Sequence, residues 1–362
     1  MKIKRWLSGI LGILLIAGMF TSCGAGKNVM TFGKSHITEN QFQYWLSSYK
    51  GIYLNTYTDM EDTAAHYRSK LDNGMTVEEY LFQSTVNNIS MTLVCNELFR
   101  EAGLTVPKSV EEAVDEYIAS LLENYAGGNK NTLNAALAQY GINMKMLKEV
   151  CLMQEINSIM FEYIYGKNGI NTVTDTEKQQ YYEENYCRVR QIYVNNSYTY
   201  ETDEEGYYKT DENGNFIIHS IAEEDKAEKD KVINTIEAAI ASGEDFETVY
   251  ELYSEDHLYA NGYYLTRTID YIPTVVRAAF DMEIGEIIRV DSEYGVHFLM
   301  RLPLDEGAYN NAENADFFGD FENDLRDKLF MDYIESYLPE VVVDYDIVSK
   351  YSIEEAAVNN RF

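Results

Sequence analysis

Residues 243–301 decide the fold of the second half of the chain, and they read GEDFETVYELYSEDHLYANGYYLTRTIDYIPTVVRAAFDMEIGEIIRVDSEYGVHFLMR. The opening segment has apolar residues at the three, four and seven spacing of one helical face, namely Phe246, Val249, Tyr250 and Tyr253. Short strands are predicted at 262–265 and 286–290, and Pro273 suits the first turn of a second helix between them. A mostly apolar run at 296–301 predicts a closing strand. The stretch therefore predicts the order helix, strand, helix, strand, strand.

This order resembles the second half of a parvulin-type peptidyl-prolyl isomerase domain, and five sequence motifs carry the resemblance. In chain order they are a Phe-led helix ending in Tyr-Ser-x-Asp (246–256), Asn-Gly with a Leu three residues after the Gly (261–265), Ala-x-Phe (278–280), Gly-Glu-Ile (285–287) and Gly-x-His-apolar (295–298). None of these motifs is specific alone, but five in the family's order and spacing are. The resemblance implies an α+β fold in which helices surround a small antiparallel sheet.

The resemblance also implies a site for rotation about an X-Pro peptide bond. Four positions match the polar network of the family, which contains two His, a hydroxyl and a Cys or Asp: Gln191, Asp256, Ser292 and His297. Three further positions match its apolar, substrate-binding proline pocket, namely Leu265, Tyr271 and Val275, and Phe280 is expected to bind substrate with them. Three of these residues depart from the family, since Gln191 replaces a His, and Tyr271 and Val275 replace a Met and a Phe.

Each network residue also has a structural alternative. A histidine on a closing strand is often a hydrogen-bonded core residue, and Asp256 is well placed to cap a turn. The amide of Gln191 can hydrogen-bond as an imidazole does, but it cannot take up a proton. We therefore predict an isomerase of modest activity, and the alternative that stays open is a non-catalytic holdase that has kept the parvulin fold. Rotation about the bond needs no covalent intermediate, so no cofactor is expected.

Residues 1–22 resemble an export signal. Three basic residues precede an apolar run at 6–20 that is short for a membrane span, and small polar residues follow it. Cys23 stands where a lipoprotein signal places the cysteine that is acylated and becomes the new N-terminus. The alternative is an ordinary secretory signal followed by a chance cysteine. Both predict an extracytoplasmic protein, and the first predicts a lipid anchor in the bacterial cell membrane.

The chain is strongly acidic, with 60 Asp and Glu against 29 Lys and Arg and a formal net charge of −31. Removal of the leader, which carries three positive charges, gives −31 − 3 = −34. Such a chain repels nucleic acid, so the expected partners are unfolded or newly exported proteins, and homodimer formation is left open. Beyond Cys23, three cysteines remain, an odd number that argues against a disulfide framework. The five histidines lack metal-ligand spacing, so no metal is predicted.

Three segments are predicted after the leader. Residues 23–173 form a helical module, because one-sided apolar stripes predict five helices there. Residues 174–302 form the parvulin-like domain. The last segment, 303–362, contains an amphipathic helix from about 316 to 338 that is expected to dock on the helical module, since its apolar face would otherwise be exposed. By resemblance to extracytoplasmic foldases similar to PrsA and SurA, the helical module implies a chaperone that binds unfolded clients.

The parvulin-like domain opens with a strand predicted at 189–194, followed by an acidic, tyrosine-rich insertion at 195–223. Within the insertion, Asn213-Gly214 lies between two segments of strand-forming residues and predicts a hairpin turn. A calcium loop starting at Asp211 is rejected, because the glycine does not fall at the sixth position.

Overall fold

The fold is described from a computed structural model that covers residues 26–57, 60–258 and 261–362. The signal peptide predicted at 1–22 and the lipidation site predicted at Cys23 lie outside these residues. The chain divides into two compact units, one made of the described residues up to Asn171 together with Lys328–Phe362, the other of Thr172–Asp327. Within the described ranges, no helix combines the length and the apolar character needed to cross a bilayer.

The first unit opens with two strands and six helices: β1 Asn28–Phe32, β2 Ser35–Thr38, α1 Glu39–Thr56, α2 Ala64–Arg68, α3 Val77–Glu101, α4 Lys108–Ala126, α5 Lys130–Ala138 and α6 Met144–Ile164. Thr38 starts α1, because its hydroxyl and the side chain of Gln41 form a capping box. Gly127 ends α4 in the left-handed conformation that favours glycine. The sequence pattern does not predict α2, whose five residues are too few to show a periodicity.

The second unit is built from these elements: α7 Asp175–Asn185, β3 Tyr186–Val194, β4 Tyr198–Tyr200, β5 Ile218–Ser220, α8 Glu223–Ala241, α9 Phe246–Tyr253, β6 Tyr263–Thr266, α10 Pro273–Asp281, β7 Ile287–Ser292, β8 Gly295–Leu302 and α11 Ala315–Phe318. The order predicted for residues 243–301 is confirmed by α9, β6, α10, β7 and β8. Four strands form one sheet in the order β6-β3-β8-β7, with all neighbours antiparallel. The chain is therefore an α+β protein with small antiparallel sheets.

The two faces of this sheet bury different residues, because successive side chains of a strand point to opposite sides. Ile192, Val194 and Phe298 pack with α8 and α9 on one face. On the other face, Cys187 and Val189 pack with α10. The alternation places the polar side chains of residues 191 and 297 on the α10 face, toward one end of the strands.

The C-terminal part of the chain differs from the prediction of one helix over about 316–338. Gly319 interrupts the helix between α11 and α12 Phe321–Glu335, in keeping with the low helix propensity of glycine. The division between the units falls between Asp327 and Lys328, and not between residues 302 and 303.

Aromatic packing explains why residues 303–327 belong to the second unit. Phe318 and Phe321 lie against the rings of Tyr182 and Tyr186, with centroid distances between 5.1 and 6.4 Å. Such ring pairs bury large apolar areas and add a directional term of about 0.5–1.5 kcal/mol each. The spacing of apolar residues in the sequence predicts the apolar face of this helix, but it does not predict which unit that face packs against.

The last segment returns to the first unit through β9 Val342–Val343 and α13 Tyr345–Val348. Strand β9 pairs antiparallel with β1, with Met30 opposite Val343. Phe330 and Ile334 of α12 join the buried core of the first unit.

One buried carboxylate organises the strand pair of the first unit. The side chain of Glu97 is 2% exposed and accepts hydrogen bonds from Lys34 N (3.0 Å), Ser35 N (3.1 Å) and Arg100 Nε (2.9 Å). Burial acts to raise the pKa of this carboxyl, but the bonds from Arg100, Lys34 and Ser35 outweigh it and hold the pKa at about 2. The loop between β1 and β2 is therefore fastened to α3 by an ionised side chain.

The predicted hairpin turn in the insertion is confirmed. Gly214 has a φ of +87°, and Thr210 and Phe216 form a β-bridge across the turn. The longer pairing of the insertion joins β4 to β5, with Tyr200 opposite Ile218.

Candidate active site

A chain of buried polar side chains lies on the α10 face of the sheet, with Gln191 at its centre. The Nε2 atom of Gln191 donates to Asp256 Oδ2 (3.0 Å) and to Tyr271 OH (3.3 Å). Its Oε1 atom lies 3.1 Å from His297 Nδ1 and accepts from Tyr263 OH (3.0 Å). Gln191 is only 6% exposed, so these four partners replace water.

The hydrogen bonds fix the tautomer of His297. A carboxylate can only accept, so the amide NH₂ of Gln191 must face Asp256 and its carbonyl oxygen must face the imidazole. Nδ1 of His297 therefore carries the proton. Its Nε2 then accepts from the Ser292 hydroxyl, which lies 2.9 Å away.

His297 is neutral at physiological pH. His297 is 1% exposed. Burial lowers the pKa of its imidazole to about 4, although the negative charges of Asp256 and Asp291 act to raise that pKa. The ring of Tyr193 lies beside it, with 5.0 Å between centroids. The imidazole therefore acts as a fixed donor and acceptor and does not exchange protons near pH 7.

The turn between β7 and β8 places Ser292 beneath the histidine. Ser292 lies opposite Gly295 in the hairpin, and its Oγ accepts from Tyr294 N (3.1 Å). Gly295 has a φ of +146°, and a Cβ there would lie 2.4 Å from Val194 O. Only glycine allows this close approach of β8 to β3.

The position of Asp256 follows from the end of α9. Ser254 caps that helix, and its hydroxyl donates to Asp256 O (2.9 Å) while accepting from Tyr193 N (3.2 Å). One carboxylate oxygen of Asp256 accepts from Leu258 N (3.0 Å), and the other accepts from Gln191. Asp256 is thus both a turn-capping residue and a member of the network.

The four predicted pocket residues are not equally accessible. Leu265 is 1% exposed and Val275 is 0% exposed. They lie in two separate apolar clusters, and Tyr271 packs against both. Leu265 and Val275 therefore form the floor below the surface instead of open walls, because Leu265 packs under α10 and Val275 projects from α10 against Leu299 of the sheet. Tyr271 and Phe280 remain partly exposed.

Phe280 is covered on one side by a cation. The guanidinium of Arg267 lies 4.2 Å from the centroid of its ring. A proline ring approaching Phe280 must use the remaining surface or displace Arg267.

Sequence reasoning missed two tyrosines of the site. Tyr263 donates to Gln191, and burial raises its pKa well above the usual range, so its hydroxyl stays protonated. The ring of Tyr193 lies beside that of His297 at an interplanar angle of 31°. Strand alternation could have identified both, because Tyr263 lies two residues before Leu265 on β6 and Tyr193 lies two residues after Gln191 on β3.

The arrangement offers fixed hydrogen-bonding groups next to an apolar floor. Across the described ranges, no group of three or more His, Cys, Asp or Glu side chains is placed to hold a metal ion. The network can position and polarise a bound group, and its side chains are already hydrogen-bonded to one another.

Comparisons with known proteins find similar solved structures. None of the models of known protein families and none of the curated proteins matches the chain. The chain is similar to solved structures of the peptidyl-prolyl isomerase and foldase protein PrsA.

Three of these structures come from Bacillus subtilis, Streptococcus pneumoniae and Bacillus cereus. The B. subtilis protein is 18% identical, with 78% of this chain and 90% of that chain covered and a TM-score of 0.23. The S. pneumoniae protein is 13% identical, with coverages of 90% and 93% and a TM-score of 0.24. The B. cereus protein is 17% identical, with coverages of 80% and 91% and a TM-score of 0.28. At these scores the case for function rests on the residues of this chain.

Proposed function

We propose that this chain is an extracytoplasmic foldase that catalyses cis-trans isomerisation of X-Pro bonds in exported proteins and binds unfolded clients. One observation carries the proposal. Asp256, Gln191, His297 and Ser292 form one continuous hydrogen-bonded series at the positions that the resemblance gives to the isomerase network. Residues separated by up to 106 positions in the chain meet there, as a shared site requires.

Isomerisation of an X-Pro bond requires only a pocket of suitable shape and hydrogen-bonding groups. The barrier to rotation is about 20 kcal/mol because resonance gives the C–N bond partial double-bond character. A site lowers it by favouring the twisted amide, which has lost that resonance and whose nitrogen can accept a hydrogen bond. The network needs no proton transfer, which agrees with a neutral His297 and a glutamine that cannot be protonated.

Two features support modest and not high activity. Gln191 already uses its amide on four partners, and the floor residues Leu265 and Val275 are enclosed. A substrate must therefore bind against the exposed parts of Tyr271 and Phe280 or displace Arg267 from Phe280. The same two features favour the second candidate, a non-catalytic holdase with a parvulin fold.

The location is proposed from the sequence. The leader at 1–22 and Cys23 support a lipid anchor on the outer side of the bacterial cell membrane. Cys23→Ser should release the protein from the membrane fraction, because a thioether-linked lipid needs the thiol. Recovery of that variant with membranes would contradict the anchor.

A refolding assay separates foldase from holdase. We expect the mature protein to accelerate the slow phase of a client whose refolding is limited by X-Pro isomerisation. Asp256→Ala should abolish most of this acceleration, while Asp270→Ala, an exposed carboxylate of the neighbouring loop, should not. Suppression of client aggregation with an unchanged slow phase would favour the holdase.

A further inference from the structure

The insertion contains an internal repeat of eight residues. Residues 202–209 read TDEEGYYK and residues 210–217 read TDENGNFI. In each copy the aspartate accepts two backbone N–H groups, Asp203 from residues 205 and 207, and Asp211 from residues 213 and 215. Both glycines have a φ of +87°. The repeat is therefore structural, with two equivalent turns.

Backbone hydrogen bonds close the repeat into a ring. Lys209 N donates to Glu201 O (2.8 Å), Ile217 N donates to Lys209 O (3.0 Å) and Glu201 N donates to Ile217 O (2.9 Å). These three residues are spaced by eight along the chain, and the three bonds form a ring. The preceding residue of each position is aromatic, and the rings of Tyr200, Tyr208 and Phe216 meet with centroid distances of 4.6, 5.6 and 5.7 Å.

A cleft of about 520 Å³ lies between this aromatic cluster and α8. Three tyrosines line it from the side of the insertion, Tyr198, Tyr200 and Tyr208. Asp225 and Glu228 line it from α8, where a spacing of three puts them on one helical face. Tyr208 is 57% exposed, so its ring is available to a ligand.

The charges around the cleft are unbalanced. Between residues 195 and 223 there are seven acidic residues and one lysine. That lysine, Lys209, is paired with Glu201, and Lys229 of the cleft is paired with Glu255. In the part of the chain that the structure describes, no basic side chain pairs with Asp225 or Glu228. An acidic residue in the first turn also stabilises α8, but Glu228 lies beyond that turn.

We propose that this cleft binds a lysine or arginine side chain of a basic, extended polypeptide segment. The faces of the three tyrosines attract a cation through their π electrons, and the two carboxylates supply a countercharge. The cleft shares no residue with the network around Gln191, so it would hold a client on the isomerase unit without taking part in the rotation. The cleft favours basic clients. The acidic surface of the protein also attracts such clients from a distance by electrostatic steering.

The test uses the full mature chain and a labelled hexalysine peptide at low ionic strength, with binding followed by fluorescence anisotropy. The variant pair Asp225→Asn with Glu228→Gln removes the countercharge, and we expect binding to weaken by about tenfold. The matched pair Glu204→Gln with Glu212→Gln removes the same charge from two exposed turn positions, and we expect less than a twofold change. Equal weakening in both pairs would overturn the site in favour of diffuse attraction.

The aromatic part is tested with a conservative pair. Tyr208→Leu should weaken hexalysine binding by about three- to fivefold, and Tyr208→Phe should keep it, because phenylalanine retains the π face. Loss in both variants would overturn the cation–π contribution. A neutral hexasaccharide that binds where hexalysine does not would replace the proposal with a glycan site. Asp256→Ala should bind hexalysine normally, so failure of the isomerase proposal and failure of the cleft are distinguishable.

Discussion

Replacement of Gln191 by leucine tests whether the polar network holds the sheet together. Leucine has a similar volume, so the change removes the amide and leaves little cavity. His297 Nδ1–H would lose its acceptor in the interior, which costs about 1–3 kcal/mol, and the hydrogen bond from Gln191 to the Asp256 carboxylate, which contributes about 1.5–3 kcal/mol, would be lost. Asp256 and Tyr271 are partly exposed and can turn to water. Burial of the apolar leucine returns about 1–2 kcal/mol, which leaves a net loss of about 0.5–5 kcal/mol.

Amide hydrogen exchange of β3 and β8 measures this loss within the second unit. A loss of about 2.7 kcal/mol makes exchange through local opening about a hundredfold faster. Gln180→Leu, on the exposed surface of α7, is the matched control and should change exchange in these strands less than threefold. Gln191→Leu exchange as slow as that of the native protein would refute the reasoning, because the network would then contribute nothing to stability.

Three further predictions concern buried groups. Glu97 has a folded pKa of about 2, below its unfolded value, so its contribution to the free energy of unfolding is complete above about pH 4.5. Up to about 3 kcal/mol of this stability is lost as the pH falls toward 2. Denaturation followed by the fluorescence of Trp45 should show this loss in the native protein and not in Glu97→Gln. His297 has a folded pKa of about 4, so stability of the second unit should fall between about pH 6.5 and 4, and an NMR titration of its ring showing a midpoint near 6.5 would contradict its neutral burial. Val275→Phe restores the aromatic wall of the family, but Val275 is 0% exposed, so overpacking should cost about 1–3 kcal/mol and lower the melting temperature; an unchanged melting temperature would mean that a pocket is open there.

The sequence was sufficient for the order of elements in residues 243–301, because helical spacing and strand alternation are local properties. The family motif, which places Asp256 after a helix and His297 on a closing strand, also selects four residues that hydrogen-bond in series, and their catalytic role stays a prediction. The sequence could not show that Val275 is enclosed, because enclosure depends on how α10 settles on the sheet. The sequence also could not show that residues 303–327 belong to the second unit and not to the helical module, because the apolar face of a helix does not reveal which surface it packs against.

Two omissions were avoidable. Tyr263 and Tyr193 lie at positions two residues from predicted site residues on the same strands, so alternation alone places them on the same face. The eight-residue repeat is visible in the sequence as two copies of Thr-Asp-Glu with a glycine at the fifth position, and the second copy carries the stronger turn signal, Asn213-Gly214. A repeat this short gives a weak signal in the sequence, because each copy contributes a single turn and no regular strand.

The central claim is that the second unit catalyses rotation of X-Pro bonds, and kcat/KM for short X-Pro peptides tests it most directly. We predict measurable acceleration by the mature native protein. Asp256→Ala should lower kcat/KM by about tenfold, the equivalent of about 1.4 kcal/mol, which one hydrogen bond to a charged group can supply. Asp270→Ala should leave kcat/KM unchanged, and Gln191→His should raise it by restoring the family residue. The absence of acceleration by both the native protein and Gln191→His, with every X-Pro peptide tried, would contradict the claim and leave the holdase as the function.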